Sequence, residues 1–175
     1  MRVAVVGGRS RVDYLIETLR RDGHEVVAIN DDRAYCEYLS NRHDVPVTWG
    51  NGTKRFVLED AGIEGFDIIV AMTGSDADNL VICQLAQRFF HVGFQICMVS
   101  DPRNVEVFRR LGASAVISGT SMLTEVVQEV LLDAPARVGR PRPGSTGAMR
   151  QISDSADDGA RTWQGTSSFH RIGRR

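Results

Sequence analysis

Residues 6–12 read VGGRSRV. They follow the β-rich run at 2–6. They precede a stretch in which Leu15 and Leu19, closed by Gly23, predict a helix. A strand, a tight glycine turn and a helix, in that order, is where dinucleotide-binding sheets carry G-x-G-x-x-G. Gly7 holds the first glycine position and Gly8 follows it, but the second and third positions hold Arg9 and Val12. The stretch is therefore a nucleotide-type turn with two of its three glycines replaced.

Outward from this turn, β-rich runs recur at 25–29, 45–49, 67–71, 95–99 and 115–117. Helical patterns separate them, at 34–40, 54–61, 78–90, 104–111 and 121–132. Six strands alternating with helices predict a parallel sheet covered on both faces. Right-handed crossovers make this a Rossmann-like, doubly wound α/β sheet of order 3-2-1-4-5-6. Ligands of such sheets bind beyond the carboxyl ends of the strands, at the switch point between strands one and four. The segments 6–11, 29–33, 49–53 and 71–76 converge there.

Composition sets the class. With 42% hydrophobic and 25% charged residues, the 175-residue chain suits one well-buried domain of a globular protein, and no apolar run is long enough to span a bilayer. The start of the chain carries no basic or apolar leader pattern, which points to a cytoplasmic protein. Cys36, Cys83 and Cys97 are odd in number and lack C-x-x-C spacing, so free thiols are expected rather than disulfides or a metal centre. The near-neutral net charge of −1 hides an asymmetry: residues 1–135 carry 13 basic and 19 acidic side chains, and residues 136–175 carry 8 Arg and 3 Asp. With Pro135, Pro141 and Pro143 and no sustained periodicity, the end of the chain reads as a basic, disordered tail. The expected division is a folded unit over 1–132 and a tail over 133–175. Nucleic acid is not an expected partner.

Several stretches, in this order and spacing, resemble the TrkA N-terminal family, also called the regulator of potassium conductance (RCK) domain. They are VAVVGG at 3–8, DGHEVVAIND at 22–31, GNGT at 50–53, EDAGIEGFDIIVAMTGSDADN at 59–79 and DPRNVEVFRRLGASAVIS at 101–118. The resemblance covers about residues 1–132. It implies a ligand-sensing, non-enzymatic subunit that binds NAD(H) or an adenine nucleotide. It also implies assembly with itself or a paralogue as a dimer or ring, and control of an integral membrane potassium transporter subunit, at the inner face of the cell membrane. No counterpart of the second ligand domain of many family members is expected within these 175 residues.

Carried onto this chain, the family's site comprises Gly7, Gly8, Arg9, Ser10 and Arg11; Asn30, Asp31 and Asp32; Asn51, Gly52 and Thr53; and Thr73, Gly74 and Asp76. The departures are pointed. Arg9 and Val12 place side chains where the family has glycine. Asn30 stands at the ribose-binding acid, Asn51 at a second acid, and Met98 at an arginine that often contacts phosphate. Arg9 and Arg11 read either as guanidinium donors to a phosphate or as solvated turn residues. Asp31 or Asp32 is placed to take over from the missing acid, and Arg33 to meet a 2′-phosphate. Asn51-Gly52 is also an ordinary turn signal, and Thr73-Gly74-Ser75-Asp76 an ordinary helix start with Ser75 or Asp76 as cap.

The residues themselves offer no catalytic constellation. His24, His43, His91 and His170 pair with neither Cys nor acids at a known spacing, and no G-x-S-x-G, H-E-x-x-H or Walker lysine occurs. Three readings follow: a regulatory subunit with an altered nucleotide pocket, a pseudo-receptor without dinucleotide binding that partners a competent paralogue, and, last, an NAD(P)-dependent oxidoreductase. A dinucleotide bound in the usual glycine-turn manner is not expected.

Overall fold

The computed structural model describes residues 1–138. Their element order is β1 (Arg2–Val6), α1 (Ser10–Arg21), β2 (Glu25–Asn30), α2 (Arg33–Arg42), β3 (Val47–Trp49), α3 (Arg55–Asp60), β4 (Ile68–Ala71), α4 (Asp76–Phe89), β5 (Phe94–Val99), α5 (Asn104–Arg110), β6 (Ala115–Ser118) and α6 (Gly119–Val138). All strand pairs are parallel and the sheet order is β3-β2-β1-β4-β5-β6, as the alternation of elements predicts.

The period-2 alternation of the strands divides the interior into two layers. Ala4, Val6, Val27, Ile29, Ile69, Ala71, Cys97 and Val99 point to one face, where Leu58 of α3, Ile82 and Ala86 of α4, and Phe108 of α5 cover them. Val3, Val5, Val26, Ala28 and Val70 point to the other, where Val12 and Ile16 of α1 and Leu39 of α2 close over them. This second face is covered unevenly. Over β4, β5 and β6 it leaves an apolar hollow of about 270 Å³, lined by Leu15, Leu19, Ile68, Ile96, Met98 and Ile117 among others.

The last helix departs from the sequence reading at both ends. It begins at Gly119 rather than Ser121, because the Ser118 hydroxyl accepts the Ser121 N–H at 3.2 Å and so caps the first turn. It continues to Val138 rather than stopping at Leu132. A proline such as Pro135 lacks the backbone donor and crowds the carbonyl one turn back, which weakens or kinks a helix without always ending it. Residues 139–175, with most of the expected tail, lie outside the described residues. The apolar side chains of α6 between Met122 and Leu132 are left open: Leu123 is 66% exposed and Leu132 82%. No helix among the described residues is long and apolar enough to cross a membrane. Cys36, Cys83 and Cys97 are buried free thiols.

Candidate functional site

A cavity of about 540 Å³ opens at the carboxyl ends of β1 to β4, within the size range of small-molecule sites. Its walls come from the four segments expected to converge at the switch point.

The glycine turn forms one wall. Gly7 and Gly8 both adopt left-handed φ, 77° and 76°. A Cβ on Gly7 would stand 2.5 Å from Thr73 Cγ2 and 2.9 Å from Thr73 Cα, so the ends of β1 and β4 approach as closely as they do only because it is absent. A Cβ on Gly8 would collide with Val12 Cγ2. Val12 therefore stays out of the cavity. It is 1% exposed and packs into the core at the space Gly8 leaves, so helix and strand still pack closely without the third glycine. The Arg9 side chain is 83% exposed and reaches Asp32 at 3.8 Å. Its backbone is pinned instead: the Arg9 carbonyl accepts the Val12 N–H at 2.8 Å and the Tyr35 hydroxyl. Ser10 and Arg11 in the first turn of α1 complete this wall, where unpaired helical N–H groups favour an anion.

The β2 end differs most from the sequence reading. Asn30 is 4% exposed. Its Nδ2 donates to the Gly8 carbonyl at 2.9 Å and its Oδ1 accepts the Asp32 N–H at 3.0 Å. Asn30 thus clips the glycine turn to the end of β2, a role that a carboxylate, with no donor, cannot fill. Asp32 is the N-cap of α2, accepting the Tyr35 N–H at 3.1 Å, and does not line the cavity. Asp31 is exposed and does line it. Arg33 turns away, pairing with Glu37 at 3.2 Å and lying over the Trp49 ring. At the β3 end, Asn51 Oδ1 accepts the Thr53 N–H at 2.8 Å and the Thr53 hydroxyl at 2.7 Å, the turn geometry its sequence suggests. Gly52 is buried against Val6, so closely that a Cβ there would strike it.

At the β4 end, the Thr73 N–H and hydroxyl both donate to Asn79 Oδ1 at 2.7 Å. Asn79 Nδ2 donates to the Met98 carbonyl at 2.9 Å, tying the β4 turn to β5. Ser75, not Asp76, caps α4, accepting the Asp78 N–H. Asp76 does not line the cavity. Its carboxylate accepts the Ser100 N–H at 2.7 Å, the Asp101 N–H at 3.1 Å and Asn104 Nδ2 at 2.8 Å, and so shapes the turn between β5 and α5. Burial pushes its pKa up, but the hydrogen bonds outweigh this and hold it below the usual carboxylate value. Met98 is not a cavity residue either. The pleat turns its side chain to the apolar hollow on the α1 face.

Asp32 and Asp76 thus stand outside the cavity lining, while the other twelve residues read from the sequence share one cavity. Ser75 and Asp78 also line it, and Asn79 and Tyr35 support it from behind. The cap signature marked Ser75. No local signal marks Asp78 or Tyr35, and Asn79 shows only as a polar residue on the buried side of α4. Among the described residues no group of His, Cys, Asp and Glu is arranged to hold a metal ion.

The fold and this cavity define a Rossmann-type domain with a nucleotide-sized cleft at its switch point. The chain belongs to the TrkA-N domain family, whose model matches residues 3–119. It is 36% identical over 118 residues to the Trk system potassium uptake protein TrkA homolog of Methanothermobacter thermautotrophicus, covering 67% of this chain and 54% of that protein. It is 32% identical over 140 residues to the Trk system potassium uptake protein TrkA of Mycobacterium tuberculosis, covering 75% of this chain and 60% of that protein. The chain therefore spans little more than half the length of these relatives. The GsuK channel bound to NAD has a similar fold, with a TM-score of 0.60, 24% identity, and coverage of 66% of this chain and 21% of that one.

Proposed function

We propose that this chain is a non-enzymatic regulatory subunit of a potassium uptake system. In this reading it binds NAD(H) or an adenine nucleotide in the cleft and transmits occupancy to an integral membrane transporter subunit from its cytoplasmic side. The observation that carries the reading is the intact turn architecture. Gly7, Gly8 and Asn30 hold the start of α1 open at the switch point, although two family glycines and the ribose acid are missing. The relatives named for potassium uptake and the channel solved with NAD support the same reading. The ligand's phosphates would be met by Arg9, Arg11 and the first turn of α1 rather than by bare glycine backbone. Self-association through α6 is part of the proposal, since a helix apolar over so much of its circumference needs cover, and the open hollow over β4–β6 has matching chemistry.

The lack of a carboxylate at Asn30 and the side chain at Arg9 favour one alternative, a pseudo-receptor that binds no dinucleotide and partners a competent paralogue. Thermal unfolding of the full chain with NAD+, NADH, ADP and ATP separates the two. A ligand specific for the native state raises the midpoint by mass action. No rise with any of them supports the pseudo-receptor. Loss of the rise in Arg9→Ala supports the arginine-assisted mode, and indifference to Arg9→Ala with loss in Gly7→Ala indicates the ordinary glycine-turn mode.

A further inference from the structure

The charges of the cavity follow an order set by the strand order. Asp31 stands at the end of β2, Arg9 and Arg11 at the end of β1 and start of α1, and Asp78 in the first turn of α4, just after β4. Because β2, β1 and β4 are neighbours in that order, the residues that carry the two carboxylates stand on either side of the residues that carry the two guanidinium groups. At about 4.8 Å per strand the ends of β2 and β4 are on the order of 10 Å apart. Among the described residues, neither carboxylate has a side-chain hydrogen bond or an ion pair. Asp13, Asp32, Asp76 and Asp101 all have them. Among the described residues Arg11 has no ion pair either, and Arg9 has only the long one to Asp32. A carboxylate in the first turn of a helix is favoured by the helix dipole, but that interaction does not require it to face a cleft.

We infer that Asp31 and Asp78 determine the specificity of this cavity, selecting a ligand with a ribosyl group at each end of a diphosphate over a nucleoside triphosphate. The inference rests on the nucleotide reading proposed above. Asn30 has spent one amide hydrogen on Gly8 and an oxygen lone pair on Asp32, so the ribose beside β2 falls to the neighbouring carboxylate, Asp31, which accepts from its hydroxyls. The diphosphate then lies against Arg9, Arg11 and the amino end of α1. What comes next meets Asp78. A second ribose donates hydroxyl hydrogen bonds to it, whereas a terminal phosphate sets like charge against like charge in a partly enclosed site.

Calorimetry on the full chain tests this with NAD+, ADP-ribose, ADP, ATP and magnesium-ATP. ADP-ribose and NAD+ should bind at least about tenfold more tightly than ATP, the scale of one like-charge contact in a partly solvated site. Asp78→Asn should narrow that gap by raising ATP affinity. Asp31→Asn should weaken all five ligands alike, because they share the adenosine ribose. Asp78→Ser serves as a second variant if the first does not fold. ATP or magnesium-ATP binding as tightly as ADP-ribose, or a gap unmoved in the Asp78 variants, overturns the inference and leaves the nucleotide reading standing. Failure of the folded chain to bind any of the five overturns both.

Discussion

Asn30 donates from Nδ2 to the carbonyl of Gly8 at 2.9 Å, across 22 residues of sequence, and so stands behind the glycine turn. The absence of the family's acid at the end of β2 is therefore not a vacancy. The position has been given to the backbone of the turn, and the next residue, the acidic Asp31, lines the cleft.

Restoring the acid should consequently fail to restore a family-type site. Asn30→Asp replaces the donor with a carboxylate facing the Gly8 carbonyl, and an unmatched buried pair of acceptors costs about 1–3 kcal/mol. The expected outcome in urea unfolding is a lower midpoint with no gain in nucleotide affinity. A variant of unchanged stability that binds NAD+ more tightly would show that the clip is dispensable.

Gly8 and Val12 should behave as a coupled pair. Gly8→Ala strains a left-handed residue and strikes Val12, for a combined loss of about 2–4 kcal/mol. Val12→Ala alone empties part of the core. The double variant should recover part of the sum, since the collision is gone while the φ strain remains, and a double-mutant cycle of denaturation free energies measures that coupling. Strict additivity would contradict the close approach.

Asp76 should contribute to acid stability. Its pKa is depressed in the folded chain by the Ser100, Asn104 and Asp101 donors, so its contribution is fully present above the unfolded carboxylate pKa of about 4 and disappears as pH falls through the lower folded value. Asp76→Asn should lose about 1–3 kcal/mol at neutral pH and show a shallower loss of stability below pH about 4. Parallel stability–pH curves for the two proteins would refute this.

The open face of α6 should hold copies together. Val127, 47% exposed, sits among Leu123, Val126, Val130 and Leu131, and Val127→Glu places a charge in that surface. The expected result is a fall in mass by light scattering with an unchanged circular dichroism spectrum. A folded Val127→Glu variant of the wild-type mass would exclude α6 as the interface.

Much of the fold was legible from residue order alone. Apolar alternation in the strands, three-and-four spacing in the helices, and glycines at the turns are properties of near neighbours. Together with right-handed crossovers they allow few arrangements of six strands, and the sheet order followed. The family's motif positions located the cleft for the same reason, since they mark turns at strand ends. What each polar residue does there was decided only in three dimensions. Asp32 and Asp76, placed among the site residues by the motif, cap a helix and shape the turn after β5. Val12 read as an obstruction but fills the space left by Gly8. Asn79 holds the turn after β4 to strand β5, and Asp78 lines the cleft. A side chain's partner is whatever the sheet brings beside it, often from tens of residues away, and periodicity carries no record of that neighbour. The sequence by itself therefore determined the sheet, its order and the place of the cleft, and the tertiary structure decided which of the residues at that place are free to meet a ligand.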